Sequence, residues 1–156
     1  MKQANPTTDN NEFVWTDRYL LGFSEMDDTH REFVHVVQAL LSCPDTDLPS
    51  ALADFIRHAD THFGSEDKWM TESNFPAREC HADEHAAVMK SALDVRQRVE
   101  SGNITIGREF AKELMRWFPG HADYLDSALA QWMVKLRLGA KPLVFRRSIG
   151  AEGAKK

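Results

Sequence analysis

The stretch HADTHFGSEDKWM, residues 58–70, places histidine and acidic side chains in an apolar helical pattern. Its apolar residues recur at three- and four-residue steps, the period of a helix with one buried face. His62 and Glu66 lie four residues apart in that face, so their side chains project together, one turn apart. The segment CHADEH, residues 80–85, repeats the spacing with His81 and His85. Because buried polar groups need partners, the two segments predict a polar site within a helical core.

The periodicity of the whole chain predicts an all-α protein. Apolar residues recur at helical steps in four segments, at about residues 24–41, 50–73, 77–101 and 105–138, without convincing strand alternation. Ser24 and Asp27 predict a capping box at the start of the first helix, and Gly102 is expected just past the end of the third. Helices with such short connections favour an up-down-up-down antiparallel four-helix bundle.

The chain of 156 residues is long enough for one domain with its own core. We expect a flexible N-terminal arm at residues 1–12, the bundle at residues 13–138 and a basic C-terminal tail at residues 139–156. The apolar but irregular run FVWTDRYLLGFS, which begins at Phe13, is expected to fold over the side or end of the bundle. The tail contains the run PLVF and is either solvated or docked, on the bundle or on a protein partner.

Composition and charge narrow the function classes. A net charge of −5 argues against a nucleic-acid partner, and no apolar run approaches the roughly 20 residues that span a bilayer. The first residues have no apolar segment typical of a secretory signal. Two cysteines do not make a disulfide framework, so we expect a cytoplasmic protein in which Cys80 is buried or inert. A Ser–His–Asp triad or a phosphate-binding glycine loop is not evident.

The inward faces of the four predicted helices carry seven metal-competent side chains: His30, His62, Glu66, His81, His85, His121 and Asp126. Left unpaired in a core, each would cost about 1–3 kcal/mol, against a total stability of about 5–15 kcal/mol. A metal centre removes that conflict, and imidazoles with carboxylates suit iron, zinc, copper or nickel. Seven ligands exceed the roughly four of a structural zinc. Two ions fit if both carboxylates and a solvent-derived oxygen bridge them, and the odd number of histidines leaves one position vacant.

Four segments resemble bacterial members of the hemerythrin family: VWTDRYLLGFSEMDDTHR (residues 14–31), HFGSE (62–66), HADEH (81–85) and WFPGHADYLD (117–126). The resemblance covers about residues 13–135 and includes all seven candidate ligands in order. It implies two iron ions joined by an oxo or hydroxo bridge and by the carboxylates of Glu66 and Asp126. It also implies a six-coordinate iron held by His81, His85 and His121, and a five-coordinate iron held by His30 and His62.

The function implied by the resemblance is reversible O2 binding at the five-coordinate iron, for oxygen storage, delivery or sensing. The ligand is then O2, or another small diatomic molecule or peroxide, and the protein is a binding protein rather than an enzyme. The family likeness implies an apolar pocket for it, lined by Phe33, Phe63, Trp117, Phe118 and Ala122. The alternative is a di-iron redox enzyme that acts on peroxide or nitric oxide, or protects iron centres. A signalling module is a third interpretation.

Two further expectations concern the neighbours of the ligands. His58 lies one turn before His62 and offers an alternative ligand register; we prefer His62, which is paired with Glu66. His58 and His35 are then surface groups or partners of ligands. Four acidic residues in the same segments are expected to be solvated rather than ligating: Asp67, Glu72, Asp83 and Glu84.

The spacing of two candidate ligands predicts a distortion in the fourth helix. Asp126 follows His121 by five residues, about 140° around a regular helix, yet both must reach one metal pair. With Pro119 just upstream, a π-bulge or a similar irregularity is expected within residues 115–126. Ala122 stands where the family often carries a bulky aliphatic residue, which predicts a more accessible open iron. The apolar stripe of this helix predicts that three later residues face inward: Leu125, Ala128 and Trp132.

Overall fold

The computed structural model describes residues 12–139, which are mostly helical and contain no strand. Five α-helices follow one another along the chain: α1 (Ser24–Ser42), α2 (Leu48–Glu72), α3 (Arg78–Glu100), α4 (Ile104–His121) and α5 (Ser127–Arg137). A π-helical segment, Ala122–Asp126, joins α4 to α5 without a break, so these three parts form one long helix. The all-α prediction is confirmed.

The helices form the predicted four-helix bundle. Loops of three to five residues connect α1 to α2, α2 to α3 and α3 to α4. Loops this short cannot carry the chain back along helices of 18 to 25 residues, so successive helices run in opposite directions. Helix α1 packs against α2 and α4, and α3 packs against the same two helices, which closes the ring. No helix within residues 12–139 is long and apolar enough to cross a membrane.

Two apolar clusters fill the bundle from opposite ends. The larger contains Phe33, Leu52, Phe55 and Phe118 among its members, and the smaller contains Phe23, Met26, Met70 and Leu129. Along each helix the candidate ligands lie between residues of these two clusters, as His30 does between Met26 and Phe33. The polar residues therefore form one layer of the core, with apolar side chains on both sides of it.

The segment before α1 covers one side of the bundle, as predicted. It contains a single 3-10 turn, Asp17–Tyr19, and is otherwise irregular. Phe13 is buried against Phe118, with ring centroids 5.7 Å apart, and its backbone N–H donates to Gln38 Oε1 at 2.6 Å. Tyr19 packs on Phe118 as well, at 5.4 Å. The segment thus seals the end of the large apolar cluster that lies nearest the candidate ligands.

The predicted capping box at Ser24 is wrong. Helix α1 does begin at Ser24, but no side chain caps its N-terminus. The carboxylate of Asp27 instead accepts hydrogen bonds from the backbone N–H groups of Leu21, at 2.8 Å, and Gly22, at 3.1 Å. Gly22 has a φ of 90°, which favours glycine, so the carboxylate fixes a tight turn before the helix. Gly102, with a φ of 102°, follows the end of α3 as expected.

The distortion predicted in the fourth helix is confirmed as the π-helical segment. An additional residue in that turn rotates the rest of the helix, so the buried residues beyond it are Asp126, Leu129 and Ala130. The predicted inward stripe is therefore wrong after His121: Ala128 is exposed, while Leu125 and Trp132 are only partly buried. Helix α4 continues through Pro119, and the irregularity lies just after it.

Residues 1–11 of the predicted arm (1–12) and residues 140–156 of the predicted tail (139–156) lie outside the described residues. Both cysteines are free thiols; Cys43 is partly buried, whereas Cys80 is exposed rather than buried.

Candidate metal centre

The structure brings all seven candidate ligands together in the polar layer of the core. They come from α1, α2, α3 and the long fourth helix, and each of these residues is between 0% and 5% exposed. The π-helical segment brings Asp126 onto the same face of the fourth helix as His121, because a π turn has more residues than an α turn. His121 and Asp126, five positions apart, thus face the same site without a break in the helix.

The seven side chains form two groups that could each hold a metal ion. The first, called the three-histidine group, contains Glu66, His81, His85, His121 and Asp126. The second, called the two-histidine group, contains His30, His62 and Glu66. Within each group the ligand atoms lie within 4.8 Å of one another. The groups share Glu66, so they lie side by side.

Each carboxylate directs one oxygen to each group. Glu66 Oε1 lies 3.4 Å from His81 Nε2 and 3.2 Å from His85 Nε2, both in the three-histidine group. Its Oε2 lies 2.8 Å from His62 Nε2 and 3.6 Å from His30 Nε2, in the two-histidine group. A carboxylate placed in this way can bridge two cations.

Asp126 repeats the division. Its Oδ1 lies 2.9 Å from His81 Nε2 and 3.3 Å from His121 Nε2, while its Oδ2 lies 3.0 Å from His30 Nε2. Both carboxylates therefore direct one oxygen to each histidine group. They do so although Glu66 follows His62 by four residues and Asp126 follows His121 by five.

Unsatisfied polar atoms indicate that the layer is built for cations. The Nε2 atoms of four histidines, one oxygen of Glu66 and both oxygens of Asp126 are buried without a hydrogen bond of acceptable geometry. A buried polar atom left unpaired costs about 1–3 kcal/mol, so several together would be hard for a small domain to tolerate. Metal ions would satisfy all of them at once, and imidazole and carboxylate are suitable donors. The residues fit a metal site.

Burial and electrostatic contacts within the layer shift several pKa values. Burial lowers the pKa of His30 and of His81, but close contacts with Asp126 and Glu66 outweigh it and raise both to about 9. Burial raises the pKa of Glu66, yet the surrounding histidines, His62 first, hold it well below its usual range. The histidines and carboxylates thus stabilise one another's charged forms before any cation is considered.

Carboxylates outside the layer orient two of the histidines. His85 Nδ1 lies 2.8 Å from Asp67 Oδ1, and His121 Nδ1 lies 2.9 Å from Glu84 Oε1. A carboxylate on the outer nitrogen fixes that nitrogen as the N–H, which leaves Nε2 free to bind metal. Trp117 Nε1 also donates to Glu84, at 3.3 Å.

The prediction that Asp67 and Glu84 are solvated is therefore only half right. Each is 42–43% exposed, yet each also binds a candidate ligand. Asp67 lies next to Glu66 and Glu84 lies next to His85 in the sequence, which indicates that both are near the site. That position does not indicate which histidine each carboxylate binds.

The structure favours His62 over His58 as the ligand. His58 belongs to neither group; its Nε2 lies 3.1 Å from His62 Nδ1, on the outer side of that ring. Burial lowers the pKa of His58 to about 4. His35 is exposed. The expectation that both lie outside the ligand set agrees with this arrangement.

The predicted pocket residues pack on the candidate ligands, but they divide between the groups. Phe63 stacks on His85 and Trp117 stacks on His121, each with ring centroids 4.2 Å apart, in the three-histidine group. Phe118 meets the edge of His30 at 5.2 Å, and Phe33 lies 6.0 Å from His62. Only the second pair, stacked on each other at 4.9 Å, faces the two-histidine group alone.

A surface cavity between α1 and α2 touches His62, which is itself 3% exposed. A cavity of about 540 Å³ is lined there by residues of both helices, including Glu32, His35, His58 and His62. Ala122, where a more open site was expected, is 1% exposed and belongs to the large apolar cluster. The cavity beside the two-histidine group therefore lies between α1 and α2, and not at Ala122, where the small side chain predicted an opening.

Comparisons with known proteins agree with this geometry. Residues 21–133 match the hemerythrin HHE cation binding domain. A bacteriohemerythrin of Ralstonia nicotianae is 33% identical over 121 residues, which cover 78% of this chain and 88% of the relative. A bacteriohemerythrin of Stenotrophomonas maltophilia is 26% identical over 121 residues, or 75% of this chain and 78% of the relative. No solved structure gives a significant match. The helical bundle, the buried histidine and carboxylate layer and these matches lead to one conclusion: the chain belongs to the hemerythrin family.

Proposed function

We propose that the protein is a non-heme di-iron protein that binds O2 reversibly, for oxygen storage, delivery or sensing. The observation that carries the proposal is the division of oxygens in the two carboxylates, one directed to each histidine group. This is the arrangement that a bridged pair of metal ions requires. The similarity to two proteins named bacteriohemerythrin supports iron as the metal.

In the proposed centre the three-histidine group holds one iron and the two-histidine group holds the other. Glu66 and Asp126 bridge the pair, together with an oxo or hydroxo group. When bound, the iron pair supplies the reversible, redox-coupled binding of O2. With three histidines on one side and two on the other, the second iron has one protein ligand fewer, and a small molecule can enter there.

The chain's own residues then control what reaches that position. Phe33 and Phe118, both buried, place apolar surface beside His30 and His62 and exclude water from that side. Phe63, Trp117 and Ala122 complete the proposed pocket. The outer partners Asp67 and Glu84 keep their histidines oriented with Nε2 inward, so the site is assembled before the ligand arrives.

The test is anaerobic reduction of the iron-loaded protein followed by addition of O2, watched by visible absorption. A stable oxygenated spectrum that is reversed under vacuum is the expected result. Elemental analysis should give two irons per chain. A single metal ion per chain, or zinc after growth in iron-replete medium, contradicts the di-iron centre. His62→Ala is the matched control, because it removes a ligand of the proposed O2-binding iron alone.

One observation favours a second candidate, a di-iron redox enzyme that acts on peroxide or nitric oxide or protects iron centres. The cavity between α1 and α2 reaches the outer side of His62, and a site that admits water through it would be poorly suited to retaining O2. Immediate conversion of the reduced protein to its fully oxidised form on adding O2 would favour the enzyme. The two free cysteines are consistent with the reducing, cytoplasmic setting that we propose for either activity.

A further inference from the structure

A line of three side chains runs from the two-histidine group to the surface. His62 Nδ1, the nitrogen facing away from Glu66, lies 3.1 Å from His58 Nε2. His58 Nδ1 in turn lies 3.6 Å from Glu32 Oε2, across the boundary between α2 and α1. The side chain of His58 is 9% exposed and that of Glu32 is 69% exposed, so the line ends at a solvated carboxylate. Both residues line the cavity that opens beside His62.

The direction of the hydrogen bonds follows from the geometry of His62. Its Nε2 faces the centre, 2.8 Å from Glu66 Oε2, and a nitrogen that binds metal must offer a lone pair. With a metal ion on Nε2, the hydrogen of a neutral His62 ring would lie on Nδ1 and would be donated to His58 Nε2. His58 must then accept at Nε2 and carry its own hydrogen on Nδ1, the nitrogen that faces Glu32. Each ring has one arrangement of its hydrogen that satisfies both neighbours.

The two-histidine group has no other support of this kind in the described part of the chain. In the three-histidine group, His85 and His121 each bind a carboxylate directly through Nδ1. His30 Nδ1, like His81 Nδ1 of the three-histidine group, is buried without a hydrogen-bond partner. His62 is thus the one histidine of its group whose ring is held from outside, and an imidazole, rather than a carboxylate, holds it.

We propose that His58 is a positioning residue for the metal ligand His62, and that the solvated carboxylate of Glu32, 3.6 Å from His58 Nδ1, assists it through its charge rather than through a hydrogen bond. The inference rests on the proposed di-iron centre and names what holds the ligand of its five-coordinate iron. His58 does not bind the metal; it fixes the ring of His62 and the nitrogen that carries its hydrogen. Replacing a partner of this type typically lowers metal affinity by about 10- to 100-fold.

The experiment compares His58→Leu with His58→Gln. Leucine fills much of the ring's volume but cannot accept a hydrogen bond, whereas the glutamine side-chain oxygen can accept near the position of Nε2. His35→Leu is the matched control, because His35 is exposed and lines the same cavity. Circular dichroism and the thermal midpoint of the metal-free variants establish that each one folds.

Metal release is the first measurement. The full chain is loaded with Fe²⁺ under anaerobic conditions and then exposed to a strong ferrous chelator. For His58→Leu we expect one of the two ions to leave about 10- to 100-fold faster than in the unaltered protein. His58→Gln should recover most of the difference, and His35→Leu should behave like the unaltered protein. Glu32→Ala, at an exposed position that does not endanger folding, should accelerate release less than His58→Leu.

The second measurement identifies the hydrogen itself. In the Co²⁺-loaded protein, N–H hydrogens of metal-bound histidines give shifted, solvent-exchangeable NMR signals. One such signal should exchange faster in His58→Leu and return to its slow exchange in His58→Gln. A purely structural role for the ring would not produce this recovery.

Three results would overturn the inference: release from His58→Leu at the unaltered rate, equal behaviour of the leucine and glutamine variants, or an equal effect of His35→Leu. Failure of the proposed O2 function is a separate outcome. An unaltered protein that holds two metal ions but does not bind O2 reversibly contradicts the oxygen-binding proposal and leaves the comparison of variants intact. An unaltered protein that binds no metal overturns both.

Discussion

The two histidine groups share Glu66, and Asp126 of the three-histidine group also contacts His30, but the two groups are supported differently. In the three-histidine group, charged oxygens from Asp67 and Glu84 bind the outer nitrogens of two rings, and aromatic rings stack on them at 4.2 Å. In the two-histidine group, one ring is held by the imidazole of His58. Each group also has one ring, His30 or His81, whose Nδ1 finds no partner within residues 12–139. A charge-assisted hydrogen bond is stronger than a neutral one. If both groups bind metal as we propose, we expect the three-histidine group to hold its ion more firmly than the two-histidine group.

The largest expected effect comes from removing what the groups share. Glu66→Ala deletes the carboxylate whose oxygens lie within 3.6 Å of four histidine Nε2 atoms, two in each group. Metal content should fall from two ions to below one per chain, measured by elemental analysis. Glu72→Ala, an exposed acidic residue on the same helix, is the control. If Glu66→Ala retains two ions, the carboxylate does not bridge the groups.

Single histidine deletions should separate the groups. His62→Ala is expected to lose the metal of the two-histidine group alone, leaving about one ion per chain and no response to O2. His85→Ala should also lower metal content but should disturb the other ion first. The comparison is made by metal analysis together with visible absorption after adding O2. Identical spectra from the two variants would show that the pair of ions does not divide along the two groups.

The carboxylate support of the three-histidine group can be weakened without removing a ligand. Glu84→Gln retains an oxygen and an N–H near His121 Nδ1 but removes the charge. We expect metal affinity to fall about 10-fold, at the lower end for changes to the partners of metal ligands, as measured by competition with a chelator. Glu113→Gln, a charged residue that binds only Arg116 on the surface, is the matched control. An unchanged affinity in Glu84→Gln would remove the contrast between the groups.

The metal-free protein should lose stability as the pH rises. His30 and His81, one from each group, have a pKa of about 9 in the folded protein, against about 6.5 in an unfolded chain. Their contribution to folding is complete below pH about 6.5 and is lost as the pH rises through about 9. The thermal midpoint of the metal-free protein should therefore fall between pH 6.5 and 9. The metal-loaded protein should lack this fall, because its histidines are already deprotonated. A flat profile without metal would contradict the shifts.

The smallest expected effect concerns the apolar wall beside the centre. Ala122→Ile adds volume at a position that is 1% exposed, within the apolar cluster that packs beside the ligands. Extra carbon atoms in a packed core typically cost about 1–3 kcal/mol. We expect a modestly less stable protein in which oxidation of the oxygenated form is slower, measured as the decay of its visible spectrum. An unchanged decay rate would place the route of water elsewhere, with the cavity between α1 and α2 the first alternative.

The sequence alone determined the fold class and the set of candidate ligands. The four-residue spacings of His62 with Glu66, and of His81 with His85, are visible in the chain because a helix brings such residues to one face. The five-residue spacing of His121 and Asp126 even predicted an irregular turn, since both had to reach one site. These inferences are local: each depends on the period of a single helix, which the order of residues specifies.

Only the tertiary structure decided how the centre is divided and supported. The contacts of His85 with Asp67, and of His121 with Glu84, join residues 18 and 37 positions apart in different helices. They depend on how each helix is rotated about its axis and on side-chain rotamers, which no spacing within one helix reveals. The same rotation made the inward stripe after His121 wrong, because one π turn moved every later residue to a new face. The order of residues thus determined the helices and the set of candidate ligands, while packing between helices decided which of their atoms meet.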